Sequence, residues 1–190
     1  MKIVCIDNAL NNTGEPYMSV RSDSSVLRNN DPFYVPSFTE DLRFTVGYML
    51  RINRLAKCVG EGFAWRCFDA VGVAVAFTAH DIVKRNCALG TPCDEAYCFD
   101  KSIALSPESV AVDEIGDGQF ELKFRDCTLR GSFGDLKFPI NEAVARASEL
   151  LTLKTGDIVY VAATDPISVS LGDDIEVSLG ERNMLDFQIR

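Results

Sequence analysis

The chain has 190 residues, 47% of them hydrophobic and 25% charged, which is the composition of a globular domain and not of a disordered or collagen-like chain. Its formal net charge of −9 disfavours nucleic acid and anionic membrane surfaces as partners, because an acidic surface repels phosphate groups. The single histidine, His80, leaves little room for histidine-based metal sites or catalytic triads.

The cysteines and the amino terminus indicate a cytoplasmic protein. The first apolar stretch ends at Asp7, well short of the roughly 7 apolar residues that a signal peptide needs. No run approaches the roughly 18 apolar residues of a membrane span. The seven cysteines cannot all pair, and most lie among apolar residues, which is typical of reduced thiols in a cytosolic protein. Cys87, Cys93 and Cys98 offer an alternative as a metal or redox site, but their spacings match no common ligand pattern.

We expect one domain over residues 1–190, with an irregular amino-terminal segment over residues 1–41. The clearest element follows at residues 42–53, where apolar and polar side chains alternate. Alternation of this length predicts a half-buried strand, because successive side chains point to opposite faces of a sheet. Thr45 and Gly47 must then share the face opposite the apolar residues.

The remaining elements predict a mainly β, or α+β, fold with about three short helices. Helices are predicted over residues 61–69, about 79–88, and 141–151. Thr78 and Asp81 resemble a capping box that would begin the second of these helices. The predicted strands span residues 71–77, 110–115, 119–133, 157–163, 174–179 and 183–189.

Several segments carry a recognisable pattern in chain order. They are residues 22–27, 31–36, 42–53, 77–81, 99–100, 105–107, 152–160 and 171–179. Each is weak alone, but together they resemble the fumarylacetoacetate hydrolase family over nearly the whole chain. That family includes hydrolases, isomerases and decarboxylases that act on small keto-enol acids. The resemblance implies a rolled β-sandwich with peripheral helices, assembled as a homodimer.

The resemblance also implies where a catalytic site should lie. Family members hold Mg²⁺ or Mn²⁺, and sometimes Ca²⁺, through two glutamates on one strand and one aspartate; hard cations prefer such oxygen ligands. An arginine, a glutamine and a lysine bind the substrate, and an amino-terminal histidine acts with a glutamate as the base. In this sequence the three metal positions fall at Thr45, Gly47 and Ala76. No metal cofactor is therefore expected.

The positions that bind substrate in the family are also changed. The arginine becomes His80, the glutamine Val83 and the lysine Tyr97. The amino-terminal histidine falls at Asn12, and the family's loop with glycine and proline falls near Thr164. The segments that build the fold are retained, while the residues that would perform the chemistry are replaced.

These replacements lead to a first hypothesis and an alternative. The first is a catalytically inactive pseudoenzyme, either a homodimer or a partner of an active paralogue, with a small molecule as a candidate ligand. The alternative is a metal-independent hydrolase or isomerase of an acylpyruvate-like acid that uses His80, Asp81 and Tyr97. A misplaced alignment does not restore the ligands, since a shift by two residues along residues 42–53 offers only Arg43 or Met49.

Overall fold

The computed structural model describes residues 1–7 and 17–190. Its four helices are α1 (Glu61–Ala64), α2 (His80–Leu89), α3 (Asp94–Tyr97) and α4 (Ile140–Leu150). Its strands are β1 (Lys2–Asp7), β2 (Tyr17–Ser22), β3 (Val26–Leu27), β4 (Leu42–Ile52), β5 (Phe68–Ala79), β6 (Ile103–Leu105), β7 (Val110–Ala111), β8 (Phe120–Phe124), β9 (Cys127–Gly131), β10 (Ile158–Ala162), β11 (Ile167–Ser168), β12 (Asp174–Leu179) and β13 (Arg182–Gln188).

The strands form a large rolled sheet and a smaller sheet packed against it. The large sheet has the order β2-β1-β10-β4-β5-β6-β3, with β11 beside β4 and β7 beside β5. Its two edge strands, β2 and β3, are joined by a 3-10 turn over Asp23–Ser25, which brings the edges together and rolls the sheet. The small sheet has the order β13-β12-β8-β9. The mainly β fold predicted from the sequence is confirmed.

The large sheet is buried on both faces. Its outer face contributes Phe44, Val46 and Tyr48 to the main core, which the small sheet and α4 also line. Its inner face carries a second cluster, with members that include Met49, Ala76 and Tyr160. The prediction that β4 is only half-buried is therefore wrong, because the rolling of the sheet covers the second face as well.

Several predicted boundaries differ from the structure. The helix predicted over residues 61–69 ends at Ala64, because its last residues enter the long strand β5. Helix α3 was not predicted, since its single turn is too short to show a helical pattern. The capping box is absent: α2 begins after Ala79 without a side-chain cap.

In its described residues, the amino-terminal segment is less irregular than expected. Within residues 1–41 the structure has β1, β2 and β3, and β1 lies between β2 and β10 in the rolled sheet. Short strands among turn residues carry little periodicity, so local sequence alone does not reveal them. Within the described part of the chain, no helix is long and apolar enough to cross a membrane.

Candidate functional site

The three positions that correspond to metal ligands in the resemblance meet on the inner face of the rolled sheet. Thr45 of β4 lies directly opposite Ala76 of β5 in the antiparallel pair. Gly47 pairs with Ala74 on one side and with Ala162 of β10 on the other. All of these residues except Ala162 are fully buried. The structure therefore brings together the positions that the sequence placed at one site.

The ring of Tyr160 occupies the space beside these positions. Its hydroxyl lies 2.9 Å from the Thr45 hydroxyl, and both side chains are buried. A Cβ atom on Gly47 would lie 2.8 Å from the Tyr160 Cε2 atom and 2.1 Å from the Val161 carbonyl oxygen. Burial raises the pKa of Tyr160 well above its ordinary value, so its phenol stays neutral at physiological pH. Even one additional carbon atom does not fit here without a backbone shift.

The residues present do not fit the divalent cation of the family. Gly47 and Ala76 have no side-chain oxygen, and the Thr45 hydroxyl is hydrogen-bonded to Tyr160. A divalent cation needs several oxygen ligands with negative charge to offset the loss of its hydration shell. Across residues 1–7 and 17–190, no group of three or more histidine, cysteine, aspartate or glutamate side chains could hold a metal ion.

The inner face also contains a buried arginine that the sequence analysis did not identify. Arg21 of β2 is 3% exposed, and its Nη1 donates to the carbonyl oxygens of Phe77 at 2.9 Å and Ser102 at 2.5 Å. Among the described residues its Nε has no hydrogen-bond partner. Arg21 and Asp7 both act electrostatically on Tyr160, with opposite signs. Arg21 and Asp7 thus bring opposite charges near Tyr160.

His80 lies at the first position of α2, in a polar cluster at the beginning of β4. Its Nδ1 atom is 3.9 Å from the Asp41 carboxylate, and among the described residues it has no hydrogen-bond partner. Burial, followed by the charge of Arg43, lowers the pKa of His80 below its ordinary value. The guanidinium of Arg43 and the ammonium of Lys84 hold the pKa of Asp41 at about 2. His80 is therefore neutral at physiological pH, beside an ionised aspartate.

Asp81 and Tyr97 face other surroundings. The Asp81 carboxylate accepts hydrogen bonds from the Thr39 hydroxyl at 2.5 Å and from the Glu40 backbone N–H at 3.0 Å, so it holds the loop before β4. Tyr97 is buried in a cluster with Val83, and its ring centroid lies 5.4 Å from that of Tyr17. Burial raises the pKa of Tyr97, which keeps its phenol neutral.

The three residues of the alternative hypothesis therefore have separate partners. His80 lies near Asp41, Asp81 binds the preceding loop, and Tyr97 packs on Tyr17. The Thr164 side chain binds the backbone of β4, because its Oγ1 accepts a hydrogen bond from the Val46 N–H at 2.9 Å. Asn12 lies outside the described residues.

Sequence reasoning missed Arg21 and Tyr160, two large side chains buried on the inner face. Tyr160 lies in the predicted strand over residues 157–163, where alternation puts it on the same face as Ile158 and Ala162. The alternation in residues 157–163 is visible in the sequence. The sequence does not show that this strand pairs with β4. Arg21 lies among serine and aspartate residues, where an arginine is ordinarily exposed.

Comparison with known proteins agrees with the fold and with the order of the segments. A sequence model of the carboxyl-terminal domain of fumarylacetoacetate (FAA) hydrolase matches residues 6–188. The oxaloacetate tautomerase YcgM of Escherichia coli (strain K12) is 24% identical over 157 residues, which cover 80% of this chain and 72% of the relative.

Two solved structures illustrate the similarity of the fold. Fumarylpyruvate hydrolase from Pseudomonas aeruginosa, in complex with Mn²⁺ and pyruvate, has a TM-score of 0.87 at 16% identity, covering 100% of this chain and 89% of that one. The 5-carboxymethyl-2-hydroxymuconate delta-isomerase from Mycobacterium smegmatis has a TM-score of 0.84 at 16% identity, covering 99% of this chain and 78% of that one. The chain belongs to the fumarylacetoacetate hydrolase family.

Proposed function

We propose that this chain is a pseudoenzyme of the fumarylacetoacetate hydrolase family, a cytoplasmic protein that has kept the family fold without the family's metal-dependent catalysis. The contact between Thr45 and Tyr160 carries this proposal, because it occupies the position where the family places a metal-binding carboxylate. Gly47 supports it independently, since the Val161 carbonyl oxygen leaves no room for a side chain there.

The physical argument rests on what a divalent metal contributes to this type of reaction. The metal polarises a substrate carbonyl and stabilises the negative charge that develops on an enolate. At the corresponding positions this chain offers a hydroxyl, a hydrogen atom and a methyl group, from Thr45, Gly47 and Ala76. Arg21 does not replace the metal in our proposal, because its Nη1 is already shared between two backbone carbonyls.

Titration calorimetry with Mg²⁺, Mn²⁺ and Ca²⁺ tests the loss of the metal site. We expect no binding in the micromolar range, with the E. coli oxaloacetate tautomerase measured under the same conditions for comparison. In parallel, the conversion of enol-oxaloacetate to its keto form and the hydrolysis of an acylpyruvate are followed with and without EDTA. Micromolar metal binding, or turnover that EDTA abolishes, would overturn the proposal.

The metal-independent isomerase or hydrolase remains the alternative, and the same assays distinguish it. It predicts turnover that survives EDTA and disappears in His80→Ala, with Asp81→Asn and Tyr97→Phe also impaired. The neutral imidazole of His80, beside Asp41, is the observation in its favour. The different partners of His80, Asp81 and Tyr97 weigh against it.

We also propose that the protein acts in a complex, as a homodimer or as the partner of an active paralogue, and that it has no nucleic-acid or membrane partner. The acidic net charge of −9 supports the second part. Light scattering on the purified chain tests the first part, since one protomer has a mass of 20.9 kDa. A mass of one protomer at all concentrations would exclude the homodimer, and co-purification with a paralogue would support the mixed complex.

A further inference from the structure

Two cysteines at the junction of α2 and α3 lie against each other. The Sγ atoms of Cys87 and Cys93 are 3.9 Å apart. Cys87 belongs to the last turn of α2, and Cys93 immediately precedes α3. Cys87 is exposed and Cys93 is partly exposed, so a small reagent can reach the pair. Cys98 does not join them, since its thiol contacts the hydroxyl of Ser25 at 3.6 Å.

Hydrogen bonds join the chain segments on either side of the two thiols. Asn86, which is buried, donates from Nδ2 to the Pro92 carbonyl oxygen at 2.8 Å and to the Glu95 carboxylate at 2.9 Å. The backbone carbonyl oxygen of Asn86 accepts a hydrogen bond from the Thr91 N–H at 3.0 Å. Gly90 ends α2 in the left-handed conformation, with φ of 67°, and turns the chain back. The residues beside Cys87 are thus tied to the residues beside Cys93 while both thiols are reduced.

A metal ion is a poorer explanation of this pair than a redox reaction. A structural zinc site takes four ligands, and two thiolates supply only half of them. Within the described residues, no third histidine, cysteine, aspartate or glutamate completes a metal-binding group. A disulfide needs only the two sulfur atoms, held close enough for one to attack the other.

We propose that Cys87 and Cys93 form a reversible intramolecular disulfide by exchange with a low-molecular-weight disulfide such as oxidised glutathione. The thiolate of Cys87 attacks one glutathione sulfur, which forms a mixed disulfide and releases one glutathione thiol. The thiolate of Cys93 then attacks the Cys87 sulfur and releases the second glutathione thiol. Two electrons pass from the protein to the oxidant, and the two thiol protons leave with the glutathione products.

The surroundings of the two thiols set the order of these steps. Burial, the neighbouring Cys87, and the charges of Asp94 and Glu95 raise the pKa of Cys93 above its ordinary value. A thiol with a raised pKa has less thiolate at neutral pH and attacks an external disulfide more slowly. Cys87 is the more exposed of the two, which suits it to the first attack.

This disulfide would join the two helices that carry Val83 and Tyr97, the positions that the resemblance aligns with substrate-binding residues. It would fix the end of α2 to the beginning of α3, the helix that carries Tyr97. Tyr97 packs on Tyr17 at the start of β2. The redox state of the pair would therefore act on the mobility of α3, and this effect does not depend on whether the protein is a catalyst.

Peptide mapping of the full chain tests the proposal. The protein is equilibrated in glutathione buffers of increasing oxidised fraction, quenched with acid, alkylated and analysed by mass spectrometry. We expect one linked peptide that joins Cys87 to Cys93, a chain mass lower by about 2 Da because two thiol hydrogens are lost, and full reversal by dithiothreitol. Alkylation of both cysteines at every glutathione ratio would overturn the proposal, as would a bond from Cys87 to Cys98 or to a second chain.

Matched variants separate the pair from other thiols. Cys58→Ser and Cys127→Ser each remove an exposed cysteine elsewhere, and we expect the linked peptide to form as in the parent chain. Cys93→Ser should stop after the first step, with glutathione retained on Cys87. Glutathione retained on Cys93 in Cys87→Ser at an equal rate would contradict the assigned order.

Asn86 provides a test of the positioning argument. In Asn86→Ala we expect the equilibrium constant for disulfide formation against glutathione to fall several-fold, because the two thiols are no longer held together before they react. Circular dichroism establishes that the variant is folded, and Glu95→Gln serves as a milder change that keeps an oxygen acceptor for Asn86. An unchanged equilibrium constant in folded Asn86→Ala would contradict the role of this residue.

Discussion

The hydroxyl groups of Thr45 and Tyr160 lie 2.9 Å apart on the buried inner face of the rolled sheet. The resemblance aligns position 45 with a metal-binding carboxylate of the family. This contact satisfies two polar groups that would otherwise be buried without partners. An internal hydrogen bond and an aromatic ring therefore fill the space between these strands.

Removing one partner of this hydrogen bond should destabilise the protein. We expect Tyr160→Phe to lower the free energy of unfolding by about 1–3 kcal/mol, because it leaves the Thr45 hydroxyl buried and unpaired. The double variant Thr45→Val with Tyr160→Phe should recover part of that loss, since it removes both polar groups. Urea denaturation measures these differences. Tyr34→Phe, at a tyrosine that is 59% exposed, is the control and should be neutral.

A side chain at position 47 should be poorly tolerated. We expect Gly47→Ala to cost about 1–3 kcal/mol or more, because its Cβ would lie 2.1 Å from the backbone carbonyl oxygen of Val161. Gly47→Glu, which restores the carboxylate of the family, should be worse and should not confer binding of Mn²⁺. Thermal denaturation compares both with Gly62→Ala, where nothing lies within 4 Å of the new Cβ. Equal melting temperatures for Gly47→Ala and Gly62→Ala would contradict the packing argument.

The ion pairs of Asp41 should stabilise the protein in a defined pH range. The folded-state pKa of Asp41 is about 2, held low by Arg43 and Lys84, and an unfolded aspartate titrates near about 3.9. Its contribution is fully present above about pH 4 and is lost as the pH falls through the folded-state pKa of about 2. Because the side chain is partly solvated, we expect Asp41→Asn to cost only about 1 kcal/mol at pH 7.

Denaturation of Asp41→Asn at a series of pH values measures this contribution. The difference from the parent chain should shrink between about pH 4 and pH 2. Asp113→Asn, at an exposed aspartate, is the control and should show little difference at any pH. A difference that grows as the pH falls would have the wrong sign for a carboxylate with a lowered pKa.

The single histidine allows a direct test of the charge at the start of α2. We expect the NMR titration of the His80 ring to have a midpoint below the ordinary value of about 6.5, because burial and Arg43 disfavour the imidazolium. The preference for the neutral form stabilises the fold above about pH 6.5 and is lost as the pH falls through the lowered pKa. A titration in concentrated urea supplies the unfolded reference. A folded midpoint above that reference would show that Asp41 outweighs Arg43 and burial.

Much of the fold could be predicted from the chain because its elements have strong local patterns. Strand β4 follows from the alternation over residues 42–53, and β12 and β13 lie close to the strands predicted over residues 174–179 and 183–189. Helix α3 and the strands of the amino-terminal segment were missed, since they are short and depend on partners that are distant along the chain. Residue periodicity reports which face is apolar, but it does not report which strands become neighbours.

The sequence by itself determined which chemical groups are present: threonine, glycine and alanine at the three positions of the family's metal ligands, and one histidine in the whole chain. Only the tertiary structure decided what occupies the space around them. The antiparallel pairing of β10 with β4 sets Tyr160 against Thr45, and the rolling of the sheet buries Arg21 beneath them. The contact between Thr45 and Tyr160 joins residues 115 positions apart, and only the pairing of strands brings such residues together.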